Sequence, residues 1–201
     1  MGWIATYRQP NRPLLEFFQD QGIFSWKDES RVKRRVIDSA LVRFTEFYAA
    51  IEEIEVATGV RKVWAAVILV KMTPLSEKDG CNIAYKDMDE TVGPYQHNCP
   101  ERLLKSLTPT DSNWANEWRA KCWNNVHVRK QLRALSPGRR FETRSTLQFS
   151  DGTNGREFTV KCASSHHIEV NVPGRTAKLR IKRDLLRRLF ASGEASFSTG
   201  I

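Results

Sequence analysis

The chain's densest chemistry lies between Tyr85 and Thr110. Asp87, Asp89 and Glu90 stand almost side by side, and His97 and Cys99 follow shortly after. Three clustered carboxylates at a strand end have the oxygen ligands that Mg²⁺ takes, the basis of metal-dependent phosphodiester chemistry. Lys86 would then stabilise developing phosphate charge, but strand alternation sends it to the face opposite Asp87 and Asp89. A second chemistry makes Cys99 a nucleophile at a helix start, with Pro100 preorganising the first turn and His97 as base. Neither an orienting acid nor an oxyanion hole is recognisable beside it. The same acids could also form a recognition surface for a basic partner.

The competing reading is a rigid connector. Asp89 or Glu90 would accept bonds from backbone amides in the Gly93-Pro94 turn, Tyr95 would pack beneath, and Cys99 would be a buried small hydrophobe. This reading is preferred over catalysis. Cys81, His97, Cys99 and the other cysteines, Cys122 and Cys162, match no diagnostic zinc spacing, so neither a metal site nor a cofactor is expected.

A second group of residues carries positive charge. Residues 136–201 hold 12 Lys+Arg against 6 Asp+Glu, and most of the chain's net charge of +9 lies there. Arg139, Arg140 and Arg144 flank one expected strand. Lys178, Arg180, Lys182 and Arg183 line another, followed by Arg187 and Arg188. Alternation places Lys178, Arg180 and Lys182 on one strand face, a positive stripe able to meet several phosphates. Phe141, Phe149 and Phe158 are the only nearby aromatics and are needed for the core, so the expectation is sequence-independent backbone binding. His166 and His167 are expected to be ordinary loop residues.

The elements that must position these residues can be read from pattern. Gly2–Arg8 reads as a strand, and Leu14, Leu15, Phe17 and Phe18 make one face of a short helix stopped by Gly22. Two long β-rich arms meet at Thr58-Gly59, a hairpin signal, and the second arm is expected in the centre of a sheet. The hairpin Glu46–Met72 is expected to offer an edge for strand addition by a partner. Pro100, Glu101 and Lys105 fit the start and end of a helix. A longer helix is expected over Asn113–Leu135, with Trp114, Trp118 and Cys122 on its buried stripe. Ser136-Pro137-Gly138 marks a domain boundary. Beyond it, short strands at close intervals have the cadence of a small SH3-like or OB-like β-barrel, and the tail after Ala191 looks frayed.

"DSALVRFTEFYAA", "YKDMDETVGP" and "CPERLLKSLTPT" followed by "ANEWRAKC", with the Gly2-Trp3 start, resemble a family of uncharacterised bacterial proteins of plasmids, phages and other mobile elements. The segment "LSPGRRFETRSTLQFSDGTNGREFTV" is similar to that family's ending. The resemblance implies a mobile-element origin and a two-part architecture, without implying catalytic residues.

Taken together, these features predict an α+β chain, with a mainly antiparallel sheet and packed helices over residues 1–135 and a small basic barrel over 136–201. The longest apolar run, Val63–Val70, is far short of the roughly 20 residues that span a bilayer, so no membrane partner is expected. With no basic segment ahead of an apolar one at the start, and four cysteines too few to staple a chain of 201 residues, a cytoplasmic setting is expected. The expected role is a mobile-element-borne binding or accessory protein that contacts nucleic acid or a nucleoprotein and counters a host defence. The alternatives are an enzyme centred on residues 85–99 and an inhibitor of a host protein.

Overall fold

The computed structural model describes residues 4–8, 31–43, 45–76, 80–87, 96–175 and 178–198. The expected helix from Leu14 to Gly22 lies outside them, as do Asp89 and Glu90. The chain is α+β, and all strand pairing among the described residues is antiparallel. It forms two compact units, Met1–Trp123 and Asn124–Ile201. They meet within a helix, upstream of the Ser136–Gly138 turn.

The first unit is built on a five-stranded sheet of β1 (Ile4–Arg8), β2 (Arg31–Val42), β3 (Thr45–Glu55), β4 (Arg61–Ser76) and β5 (Gly80–Asp87), in the order β1-β5-β4-β3-β2. β3 and β4 form the expected long hairpin. Gly59 closes its turn with φ +73°, a left-handed conformation that suits glycine, and donates its N–H to the Val56 carbonyl at 2.9 Å. Both arms are central: β3 lies between β2 and β4, and β4 between β3 and β5. The edge expected for strand addition is therefore absent, because both hydrogen-bonding sides of each arm are already paired. Phe47, Ala49, Val67 and Leu69 are buried on one face, and Tyr48, Ala50 and Ile68 on the other.

Two helices follow. α1 (Glu101–Ser106) starts with Pro100 at its cap, and Lys105 pairs with Glu101 one turn earlier. Arg102 reaches Asp38 and Ser39 beside the bulge of β2, fixing α1 against that strand. Thr108 then clips the chain to β4: its Oγ1 accepts from the Ala65 N–H at 3.0 Å, and its own N–H donates to the Ala65 carbonyl. α2 (Asn113–Ala134) carries residues of both units. In its first half Ala115, Trp118 and Cys122 are buried, and the Trp118 ring packs on Phe47. Trp114 is 47% exposed and stands off the stripe expected to include it, because Ala115 takes the inward position.

The second unit is a five-stranded sheet of β6 (Arg140–Gln148), β7 (Asn154–Ala163), β8 (His167–Asn171), β9 (Leu179–Lys182) and β10 (Ala195–Phe197). α3 (Arg183–Ala191) lies between the last two in sequence. The strand order is β10-β6-β7-β8-β9, and among the described residues the strands do not close into a barrel. The inserted helix is the physical reason. Leu186 and Phe190 of α3, with Val128 and Leu132 of α2 and Leu135 just past its end, cover the inward residues Phe141, Phe158, Val160, Ile168, Val170 and Ile181. Helices thus complete the core without closure. The tail is not frayed over Ala195–Phe197: Gly193, at φ +73°, ends α3, and the chain returns as β10 beside β6.

Trp118 and Trp114 separate core from surface on one helix. Trp118→Ala is expected to destabilise by about 3–5 kcal/mol, and Trp114→Ala by less than about 0.5 kcal/mol. Chemical denaturation of both variants checks this, and equal losses would contradict the packing described.

Candidate nucleic-acid interface

The outward face of the second sheet follows from alternation. Along β8, Ile168 and Val170 point into the core, so His167, Glu169 and Asn171 share the opposite face. β9 alternates likewise, burying Leu179 and Ile181 and exposing Arg180 and Lys182. The β8–β9 register sets His167 opposite Lys182 and Glu169 opposite Arg180. At this open edge of the sheet a cleft of about 570 Å³ is lined by Ser165, His166, His167, Arg180, Lys182, Arg183 and Asp184.

Two serines hold the histidines. Ser164 Oγ donates to the His167 carbonyl at 2.9 Å and accepts from the amides of His166 and His167. It lies 3.2 Å from His167 Nδ1, while Ser165 Oγ lies 2.7 Å from His166 Nδ1. With Nδ1 engaged in each ring, the Nε2 edge is the one left for a ligand. Arg183 fixes the same turn from the other side. Its backbone N–H donates to the His166 carbonyl at 2.8 Å, its Nε to Ser164 O, and its Nη1 to Leu132 O.

The nine basic residues expected to bind phosphate therefore divide. Arg183 is a positioning residue whose donors serve carbonyls. Arg180 gives Nε and Nη2 to Glu169 Oε1 at 3.1 and 3.0 Å, which interrupts the positive stripe and orients the guanidinium at the cleft wall. Arg187 lies 3.9 Å from Asp184, the one acid lining the cleft. Arg139 sits 4.6 Å over the Phe197 ring. Arg140, Arg144, Lys178, Lys182 and Arg188 are exposed, and no ion pair engages them among the described residues. Of these, only Lys182 lines the cleft. His166 and His167, read from sequence as ordinary loop residues, complete it. Their link to Lys182 depends on the β8–β9 register, which the intervening Val172–Lys178 connection conceals.

The acidic stretch is placed differently. Asp87 ends β5 opposite Ile68. Cys99 is fully buried, beside a helix of six residues, and its Sγ is 3.8 Å from Pro100 O. A sealed thiol lacks the exposure a nucleophile needs, and this geometry agrees with a connector. Among the described residues no three of His, Cys, Asp and Glu gather at metal-binding distance. Burial, and then the Lys121 ammonium, hold the half-buried His97 imidazole below its usual range. The unfolded chain then binds that proton near pH 6.5 while the folded chain does not. His97 thus favours folding above pH 6.5, and this contribution fades as pH falls through the lower folded value. Thermal unfolding between pH 7 and about 5 should show a falling midpoint, with a shallower fall in His97→Gln. Identical profiles would contradict this.

Comparison with known proteins adds one match. A family model described as a domain of unknown function (DUF6927) matches residues 109–184, which include α2, β6–β9 and every residue lining the cleft. No curated protein and no solved structure matches the chain.

Proposed function

We propose that this chain is a cytoplasmic, mobile-element-borne accessory protein that contacts nucleic acid or a nucleoprotein through its C-terminal sheet and thereby counters a host defence. The observation that carries the binding reading is the cleft at the β8–β9 edge. It brings Lys182, Arg180, His166 and His167 together beside the start of α3, where the helix dipole adds to their attraction for an anion. Among the described residues the only acid on its lining, Asp184, has Arg187 close by. Mobile-element origin rests on the motif resemblance alone.

The finer fold reading is a half-closed SH3-like barrel. Its support is the strand order, in which the fifth strand returns beside the first with a helix between the fourth and fifth. Small β-folds of this kind bind single strands along a charged groove.

Binding should weaken steeply with salt. The log–log slope for a fluorescent single-stranded oligonucleotide is expected to shrink by about 0.7 in Lys182→Ala and further when Arg180→Ala is added. Arg139→Ala, whose guanidinium stacks on Phe197, should leave the slope unchanged. Absence of binding at low salt would sink the reading.

A further inference from the structure

A second cleft opens on the second unit, about 500 Å³ in volume, and its chemistry differs from that of the first. Arg140 on β6, Thr159 on β7 and Asn171 on β8 stand in one cross-strand row and line it. Pro173 and Val172 supply an apolar wall, and Arg175 and Glu157 complete the polar lining. The positive charges of Arg140 and Arg175 are partly offset. Glu157 lines the same cleft, and Asp151 interacts with Arg175. Such a site has little net attraction for phosphate but carries both donors and acceptors for a flat polar molecule.

One atom asks for a ligand. Asn171 Oδ1 is buried and has no hydrogen-bond partner among the described residues. A buried acceptor without a donor is destabilising, and a ligand N–H would relieve it. The carboxamide of asparagine matches the N6–H and N7 edge of adenine, accepting from one and donating to the other.

Position links the two clefts. His167 and Asn171 are the first and last residues of β8 and share its outward face. Three strand residues lie between them, and the four rises put them about 13 Å apart. An extended single strand bridges that distance. We propose that the second cleft reads an adenine base of a single strand whose phosphates lie in the first cleft. This inference rests on the polyanion-binding reading of the first cleft and adds base preference to it. Arg140 then flanks the base, and Asn171 reads it.

Competition anisotropy on the full chain tests the proposal, with oligo(dT), oligo(dC) and oligo(dT) carrying a short central dA run as probes. The dA-containing probe should bind roughly ten-fold more tightly than oligo(dT). Asn171→Leu should remove that preference and leave oligo(dT) affinity within about two-fold. Asn171→Asp, which keeps the shape but loses the donor to N7, should also reduce it. Equal wild-type affinity for all three probes, with binding still dependent on Lys182, overturns base reading and leaves the polyanion reading standing. No binding to any probe at low salt overturns both. The wild-type comparison holds even where a variant fails to fold.

Discussion

Arg183 ties together the parts of the second unit on which the candidate interface depends. Its side chain bonds the carbonyls of Ser164 and Leu132, and its amide bonds that of His166. One residue thereby joins the β7–β8 turn, the end of α2 and the start of α3. A guanidinium can do this because it presents several donors in a fixed plane, and a lysine ammonium cannot reproduce that fork. Without this clamp the turn at residues 164–167 would keep its serine bonds and the β8–β9 pairing but lose its tie to the end of α2.

The same geometry explains why so basic a unit offers so small a free-cation set at the cleft. Strand alternation and helix packing sort its arginines into separate tasks. Arg180 is held by Glu169, Arg187 lies near Asp184, Arg139 covers Phe197 and Arg183 braces the turn. Counting charges along the sequence overstates the binding surface, since a guanidinium already engaged has less to offer a phosphate. Among the described residues lining the cleft, the charge left to act is Lys182, with two neighbouring histidines. Those histidines are placed by hydrogen bonds from serine hydroxyls, and serine gives no charge signal in a sequence.

Much of the architecture was legible from pattern. The Thr58-Gly59 turn marked the long hairpin because glycine alone adopts that φ without strain. The 3.6 period marked α2, and turn signals at close intervals marked β6 to β9. What escaped depended on distant partners. β10 is three residues long, and only its pairing with β6 and the packing of Phe197 on Phe190 make it a strand. Trp114 and Trp118 share one spacing, yet the neighbouring chain buries only one. Strand spacing pointed to a small barrel without recording how α3 covers the core. In the acidic stretch, Cys99 is buried as the connector reading expects, whereas Asp89 and Glu90 lie outside the described residues.

The central claim is that the turn Ser164–His167 and the strand Leu179–Lys182 together form the ligand-binding surface. Backbone amide chemical shifts, recorded while a single-stranded oligonucleotide is added at low salt, test it most directly. The interface reading predicts the largest changes at residues 164–167 and 180–184, extending along β8 to Asn171. Changes confined to residues 85–99, or none at saturating oligonucleotide, would contradict it.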